Sequence, residues 1–301
     1  MMQQYIWLNG KFKKFEDVKV HVFTPTIQYG LGIFEGIRCY KTAKGVAVFR
    51  LSEHARRFVE SAKIYKFKLG ITQRQLENAV VETVRKNKIK NGYIRPFAFY
   101  DNVVMGFFYP EVQMNVSITA IEYGNYFKNK EAGIKCKVSS WQKVNSEILP
   151  PQAKVSGNYI SSFLSRLDAR DSGFDEAIMV SSDGHVAEGS GENVFLVKEG
   201  RLITPSKGSN FLLGITRDSV IKMAQSIGLV VEERAVHREE LYTCDELFFT
   251  GTAAEITPVV DVDKRKVGSG KMGPITKMLS DKFSRTVSGE DKEFEEWLTY
   301  V

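Results

Sequence analysis

The sequence predicts an α+β protein of two domains. Its 301 residues are about twice the length of an average domain. Hydrophobic residues make up 43% of the chain and charged residues 26%, which is typical of a globular protein and excludes a disordered chain, a collagen-like chain and a coiled-coil rod. Strand-like and helix-like patterns occur in both halves, so we expect both kinds of element in each domain.

The chain begins with a predicted β-hairpin followed by a helix. Asn9 and Gly10 lie between two apolar-rich arms, and Asn-Gly is the pair that favours a two-residue hairpin turn. Apolar residues spaced for one helical face predict a helix over 51–69. We expect Ser52 to cap its start and Gly70 to follow its end.

A second helix and more strands complete the first half. Thr72 and Gln75 form a capping-box pattern, which predicts a helix that runs to about Lys88. The segment 93–121 is rich in Ile, Phe, Tyr and Val, as strands are. The polar segment 123–133 then predicts a connector between domains.

We therefore expect a small N-terminal domain over 1–122 and a larger C-terminal domain over 134–301. The larger domain begins with a predicted strand over 134–141. A helix should follow and end at Gly173, and its apolar face is expected to consist of Ile160, Phe163, Leu164 and Leu167.

The rest of the second half predicts two hairpins and one clear helix. The hairpin turns are expected at Asp183-Gly184 and at Glu199-Gly200, because strand-like runs flank each pair. The helix is expected over Thr216–Ile227, with Thr216 as its N-cap and Gly228 just after its end.

Composition and charge narrow the classes of function. No apolar window is long enough for a membrane span or placed for a secretion signal. The three cysteines are scattered, without metal-ligand spacing, so we expect a reduced, cytoplasmic protein and no metal. The net charge is +6, but the basic residues are interleaved with acids, which argues against a nucleic-acid surface and leaves an anionic ligand open.

Several segments could carry chemistry, although each also has an ordinary structural explanation. The helix start at 214–217 offers backbone N–H groups to a phosphate, or is simply a capped end. Lys154 lies among small neutral residues and could act as a nucleophilic amine, or could be a solvated surface lysine. Glu188 and the small residues at 251–254 follow turns and strand ends, where ligand contacts are common.

Together these segments resemble the branched-chain amino-acid aminotransferases, pyridoxal-phosphate enzymes with the D-amino-acid aminotransferase type of fold. The resemblance covers nearly the whole chain. Its motifs are YIWLNG, YGLGIFEGIRCY, EHARRF, YIRP, SSW, AKVSGNYISS, AEGSGENVF, GITRDSVI and GTAAEITPV. It implies fold type IV, with a small α/β N-terminal domain and a larger mixed α/β pseudo-barrel C-terminal domain.

The resemblance implies that pyridoxal 5'-phosphate is the cofactor and assigns the residues that bind it. Lys154 matches the lysine that bonds to the cofactor aldehyde and then moves a proton as base and acid. Glu188 matches the carboxylate that pairs with the pyridine nitrogen, and Tyr159 the phenol beside the ring oxygen. The phosphate is expected to contact Arg57 and the amides of Ile215, Thr216 and Thr252.

The resemblance also implies a pocket for two kinds of substrate. Arg95 matches the arginine that receives the side-chain carboxylate of glutamate, in a pocket that must also accept an aliphatic side chain. The residues matched around the substrate are Tyr93, Thr252 and Ala253 near the α-carboxylate, Phe34 and Tyr126 as walls, and Tyr29 from a neighbouring subunit.

The implied reaction is reversible transfer of an amino group between leucine, isoleucine or valine and 2-oxoglutarate, in a homodimer or larger homo-oligomer. A segment around Met105 to Phe108 is expected to reach into the neighbouring subunit's site. Phe107 and Phe108 replace the smaller residues usual in bacterial relatives, and Tyr123 replaces a tryptophan, so the order of preference among aliphatic and aromatic substrates is open.

Three alternatives stay open. A D-amino-acid aminotransferase or an aminodeoxychorismate lyase of the same fold would share Lys154 and Glu188, although the motifs FEGIRCY, YIRP and GTAAEITPV favour the branched-chain type. The positive charge also permits a basic binding protein without catalysis, which would bind no chromophore and would bind nucleic acid in a strongly salt-dependent way.

Overall fold

A computed structural model of the chain describes residues 4–103, 106, 112–124, 126–127 and 132–301. The chain forms two compact units. Unit 1 consists of residues 1–124, 153–157 and 286–301, and unit 2 consists of residues 125–152 and 158–285.

The first stretch of chain alternates short strands with three helices. A short 3-10 helix, Phe15–Asp17, follows the second strand. The elements are β1 Tyr5–Leu8, β2 Lys11–Lys14, α1 Pro25–Tyr29, β3 Ile33–Phe34, β4 Ile37–Thr42, β5 Gly45–Phe49, α2 Leu51–Ile64, β6 Lys68–Leu69, α3 Gln73–Asn87, β7 Gly92–Phe99 and β8 Gln113–Glu122.

The remaining stretch is also mixed, and 3-10 helices occur at Ser156–Tyr159 and Lys292–Trp297. Its elements are β9 Ile134–Val138, α4 Ile160–Asp171, β10 Glu176–Val180, β11 Val186–Gly189, β12 Asn193–Lys198, β13 Arg201–Pro205, α5 Ile215–Ser226, β14 Val231–Arg234, α6 Glu240–Thr243, β15 Glu246–Gly251, β16 Glu255–Val262, β17 Arg265–Lys266, α7 Pro274–Val287 and β18 Leu298–Tyr300.

The described residues of unit 1 form a nine-stranded sheet covered by α2 and α3. Its main path is β18-β5-β4-β7-β8-β1-β2, with β3 paired to β7 and β6 paired to β8. Phe58 of α2 and Leu76 of α3 are fully buried against sheet residues such as Ile94 and Ile118. Burial of these side chains supplies most of the driving force for this layer arrangement.

Local signals in unit 1 are largely confirmed. The Asn9-Gly10 turn joins β1 to β2 with both residues in the left-handed region, at φ 46° and 88°, as a type I′ turn requires. The side chains and backbones of Thr72 and Gln75 form the predicted capping box of α3.

The prediction for α2 was wrong at both ends. Arg50, not Ser52, is the N-cap, with φ 51°, and its N–H donates to Trp297 O at 2.7 Å. The helix stops at Ile64 because Lys66 takes a left-handed φ of 55°, and the next residues form β6 beside β8. The chain therefore leaves the helix before Gly70.

The units differ from the two consecutive domains expected from the sequence. The segment 153–157 belongs to unit 1 because it pairs with β3, through an antiparallel bridge between Ile33 and Val155. The C-terminal residues belong to unit 1 because β18 pairs with the edge of β5. Both segments thus supply hydrogen-bond partners for backbone groups of the unit 1 sheet.

The described residues of unit 2 form a second nine-stranded sheet of mixed direction. Its path is β11-β10-β9-β16-β15-β12-β13-β14, with β17 paired to β16. Ile178, Val194, Phe249 and Val259 lie in its buried core. The strand predicted from 134 is confirmed, although it ends at Val138.

The two hairpins predicted in unit 2 are confirmed. Asp183-Gly184 lies in the connection between β10 and β11. Glu199 and Gly200 join β12 to β13 with φ 50° and 74°, and these angles belong to a type I′ turn.

Two helix predictions for unit 2 need correction. In α4 the buried residues are Ser162, Ser165 and Ala169, whereas Ile160 and Phe163 are each 64% exposed. The spacing therefore identified an apolar face, but that face is not in the core. In α5 the N-cap is Gly214, so Thr216 lies inside the first turn instead of capping it.

Across the described ranges, no helix combines the length and the apolar character that a membrane crossing requires.

Candidate functional site

Backbone pairing in unit 1 fixes Lys154. Its carbonyl accepts a hydrogen bond from the N–H of Phe34 at 3.1 Å, and its own N–H donates to Ser61 Oγ at 3.0 Å. The N–H of Ser156 donates to Gly32 O at 2.8 Å. Lys154 is therefore attached to β3 and α2, although it lies far after them in the sequence.

Four predicted site residues meet around one aromatic ring. Lys154 Nζ lies 4.7 Å from the centroid of the Phe34 ring, and Arg95 Cζ lies 4.8 Å from the same centroid. Arg95 Nη2 also donates to Tyr93 Oη at 2.8 Å. Strands β3 and β7 carry the ring, the phenol and the guanidinium, and their antiparallel pairing holds these three groups together.

Gly36 makes room for the Tyr93 phenol. A Cβ at position 36 would lie 1.9 Å from Tyr93 Oη, far inside van der Waals contact. The glycine of the FEG motif therefore permits the position of Tyr93 that Arg95 uses as its hydrogen-bond acceptor.

Arg57 is held by a buried carboxylate that the sequence analysis did not identify. Arg57 Nε donates to Glu35 Oε1 at 2.6 Å and Nη2 donates to Oε2 at 2.9 Å. His54 Nδ1 lies 2.7 Å from Glu35 Oε2. The exposed fraction is zero for the Glu35 side chain and 12% for that of Arg57.

Charge explains why Glu35 is ionised in this cluster. Burial by itself raises the pKa of Glu35. The charges of Arg57 and His54 and their hydrogen bonds lower it by more, so the net pKa lies well below its usual range. Burial lowers the pKa of His54, only partly opposed by Glu35. Glu35 is therefore the carboxylate that orients Arg57.

Tyr29 is the last residue of α1 and is 39% exposed. Of the segment expected to reach into a second subunit, Met105, Phe107 and Phe108 lie outside the described residues.

Unit 2 places the Glu188 carboxylate on β11, with 6% of its side chain exposed. Lys143 Nζ forms an ion pair with Glu188 Oε1 at 2.6 Å. Asn193 Nδ2 donates to Glu188 Oε2 at 3.2 Å and to Leu212 O at 3.0 Å. Both carboxylate oxygens are thus oriented by partners that the sequence analysis did not single out.

The start of α5 can bind an anion. Its N-cap is Gly214, so no side chain caps the helix, and Ile215 and Thr216 are buried at 7% and 4% exposure. A Cβ at position 214 would lie 1.9 Å from Asn193 Oδ1. Asn193 therefore packs against the N-cap of this 12-residue helix, where only glycine fits, and the first N–H groups of a helix favour an anion.

Arg217 of the same motif has a structural role. Its Nη2 donates to Pro205 O and to Glu233 Oε2, both at 2.8 Å, and its side chain is 4% exposed. It joins the start of α5 to β13 and β14.

The other predicted residues of unit 2 lie at element ends. Tyr159 directly precedes α4, and its ring centroid is 6.0 Å from Lys143 Nζ. Thr252 and Ala253 are half-buried in the turn from β15 to β16, and Thr257 Oγ1 donates to Ala254 O at 2.7 Å to stabilise that turn.

Tyr126 has a cationic neighbour. Arg166 donates a hydrogen bond to Tyr126 Oη and lies 4.9 Å from the ring centroid. Burial raises the pKa of Tyr126 to about 12, so the phenol is neutral at physiological pH. Arg166 also lies 3.3 Å from the buried Glu176 carboxylate.

Within the described residues, no three His, Cys, Asp or Glu side chains are arranged to hold a metal ion.

Sequence and structure comparisons with known proteins indicate the same family. The family model described as amino-transferase class IV matches residues 32–262. The chain is 44% identical over 300 residues to a branched-chain-amino-acid aminotransferase of Escherichia coli (strain K12), covering 99% of this chain and 97% of that protein.

Two solved structures are similar over nearly their whole length. A branched-chain aminotransferase from Thermoproteus uzoniensis with norvaline has a TM-score of 0.95 and 41% identity, covering 99% of both chains. A branched-chain amino acid aminotransferase from Thermobaculum terrenum in its PLP form has a TM-score of 0.91 and 35% identity, covering 99% of this chain and 98% of the other. These likenesses confirm the α+β fold predicted from the sequence.

Proposed function

The chain belongs to the class IV aminotransferases, and from this premise we propose that it transfers amino groups between branched-chain L-amino acids and 2-oxoglutarate. The products are branched-chain 2-oxo acids and L-glutamate. The observation that carries the proposal is the cluster of Lys154, Phe34 and Arg95, in which a primary amine and a guanidinium share one aromatic ring.

Pyridoxal 5'-phosphate is the cofactor, and the described residues fit its functional groups. Lys154 offers a primary amine to the aldehyde, and Glu188 offers a nearly buried carboxylate to the pyridine nitrogen. The start of α5, which no side chain caps, offers backbone N–H groups that suit a phosphate. We assign the Arg57 guanidinium to the phosphate on the resemblance. We assign Tyr159 to the ring oxygen and Thr252 to the phosphate on the resemblance alone.

When bound, the cofactor supplies an aldehyde and a ring that withdraws electrons from the substrate Cα–H bond. Lys154 Nζ is the general base that accepts the Cα proton and the acid that returns a proton in the opposite half-reaction. Glu188 holds a proton on the ring nitrogen, because its negative charge favours the protonated form.

Arg95 lets one pocket accept two kinds of side chain. Its guanidinium lies over Phe34 and is hydrogen-bonded to Tyr93, so its charge has partners when the substrate side chain is aliphatic. For glutamate, the same guanidinium can receive the carboxylate. We place Tyr126 among the pocket walls, and Thr252 and Ala253 at the substrate α-carboxylate.

A homodimer or larger homo-oligomer is part of the proposal, with Tyr29 and the segment around Met105 to Phe108 contributed to the neighbouring subunit's site. The exposed face of α4 supports self-association, since Ile160 and Phe163 are each 64% exposed. Phe163→Asp should shift the mass measured by light scattering towards the monomer, whereas Val230→Asp, at another exposed apolar residue of unit 2, should not. We also propose a cytoplasmic location, in keeping with three buried thiols.

The test of function combines substrate profile and cofactor chemistry. The purified protein with pyridoxal phosphate should form glutamate from L-leucine and 2-oxoglutarate, and should show visible absorption that changes when L-leucine is added. Lys154→Ala should abolish turnover yet still bind the cofactor noncovalently, while Lys63→Ala, at an exposed residue of α2, serves as the control. Preference for D-alanine, or full activity in Lys154→Ala, would refute the proposal.

A further inference from the structure

Lys143 places an ammonium group on the carboxylate that the proposed function assigns to the pyridine nitrogen. The distance from Lys143 Nζ to Glu188 Oε1 is 2.6 Å, and the two side chains are only 10% and 6% exposed. None of the roles assigned above falls to Lys143.

The position of Lys143 is fixed from several sides. Its backbone N–H donates to Val180 O at 2.8 Å, next to the β10–β11 hairpin that carries Glu188. Its Nζ lies 3.4 Å from Ser162 Oγ on α4 and 6.0 Å from the ring centroid of Tyr159. The ammonium therefore has a defined location beside Glu188.

A buried carboxylate needs a compensating cation. Without a cofactor, Lys143 is the cation that the structure places on Glu188, and Asn193 supplies a neutral donor to the other oxygen. A protonated pyridine nitrogen would bring a second positive charge to the same carboxylate. Since the two cations repel each other, Lys143 weakens the attraction between Glu188 and the ring-nitrogen proton.

We propose that Lys143 is a positioning residue with two effects: it neutralises Glu188 whenever the cofactor is absent, and it limits how strongly Glu188 holds the ring-nitrogen proton. This inference rests on the proposed assignment of Glu188. It explains how unit 2 can accommodate a nearly buried carboxylate before cofactor binding.

The test compares Lys143→Met with Lys143→Arg, using Lys137→Met as a matched control. Lys137 forms another ion pair of unit 2, with Asp168 at 2.9 Å, and does not involve Glu188. In the cofactor-free protein, Lys143→Met should raise the unfolding equilibrium constant on the order of 100-fold, because Glu188 loses its cation. Lys143→Arg should stay close to the wild type, and Lys137→Met should have little effect.

Adding pyridoxal phosphate provides the second readout. The cofactor should stabilise Lys143→Met more than it stabilises the wild type, since the pyridinium replaces the lost cation. With cofactor labelled at the ring nitrogen, the ¹⁵N chemical shift should move towards the protonated form in Lys143→Met. Equal stability of the cofactor-free wild type and the cofactor-free Lys143→Met protein would overturn the inference. So would a ¹⁵N shift that Lys143→Met leaves unchanged.

Glu188→Gln separates this inference from the assignment on which it rests. If Glu188 holds the ring proton, Glu188→Gln alone moves the ¹⁵N shift towards the unprotonated form, and adding Lys143→Met to it causes no further change. An effect of Glu188→Gln without an effect of Lys143→Met rejects only the role of Lys143. No effect of Glu188→Gln rejects the proposed role of Glu188 itself.

Discussion

Replacing Glu35 with glutamine removes the charge that holds Arg57 while keeping the size of the side chain. Glu35 is fully buried and accepts hydrogen bonds from Arg57 at 2.6 and 2.9 Å, with His54 at 2.7 Å. The substitution removes the negative charge that is paired with a guanidinium only 12% exposed. Breaking one partner of a buried pair costs about 3–5 kcal/mol.

The size of this loss should depend on pH in a defined direction. Because the folded-state pKa of Glu35 is lowered from its ordinary value of 4.5, its stabilisation is present above pH 4.5 and is lost as the pH falls below that value. The difference in unfolding free energy between wild type and Glu35→Gln should therefore be full at neutral pH and shrink in acid.

Urea unfolding of the cofactor-free protein, followed by tryptophan fluorescence, measures this difference. Trp7 and Trp297 are both buried in unit 1 and report on it. The cofactor dissociation constant should also rise, by about tenfold, because Glu35 no longer orients the Arg57 guanidinium. Glu82→Gln, at an exposed carboxylate of α3, is the control. A Glu35→Gln protein as stable as this control at neutral pH would refute the reasoning.

Three further predictions concern other buried contacts. Gly36→Ala should displace Tyr93, whose Oη would lie 1.9 Å from the new Cβ, and raise the KM for L-leucine about tenfold or more with little change in cofactor affinity; an unchanged KM would contradict this. Glu246→Gln should lower the unfolding free energy by about 2 kcal/mol, because the carboxylate accepts hydrogen bonds at the start of α7 at 2.6 to 3.0 Å; urea unfolding would show no loss if that contact were unimportant. Burial and, to a smaller extent, the charge of Glu176 raise the pKa of Glu192 from 4.5 to about 8. The free energy of unfolding of the wild type should therefore fall as the pH rises from 4.5 to about 8, and that of Glu192→Gln should fall less over the same range. Parallel pH profiles for the two proteins would count against it.

Short-range signals in the sequence predicted local structure well. The Asn9-Gly10 and Glu199-Gly200 turns and the capping box at Thr72 are signalled by neighbouring residues, and the structure contains all of them. The ends of α2 were not predictable, since Arg50 and Lys66 take left-handed angles, which non-glycine residues rarely adopt. At Arg50 a long-range hydrogen bond to Trp297 O accompanies this angle.

The candidate site was predictable only through the resemblance, and only in part. Lys154, Phe34, Tyr93 and Arg95 lie close together in unit 1, but no local pattern marks a single lysine or arginine as functional. The supporting residues were missed although Glu35 and Asn193 lie inside the quoted motifs. Their roles depend on hydrogen bonds between different secondary-structure elements, which periodicity and capping patterns do not encode.

The strand β18 sets the order in which the chain can finish folding during synthesis. It pairs with β5 through residues 298–300, whereas the last strand of the unit 2 sheet, β17, ends at Lys266. The ribosome therefore releases every strand of the second sheet before the final strand of the first one emerges. Of the two sheets, the one whose synthesis starts earlier is completed later, because β5 can pair with β18 only after β17 has been made.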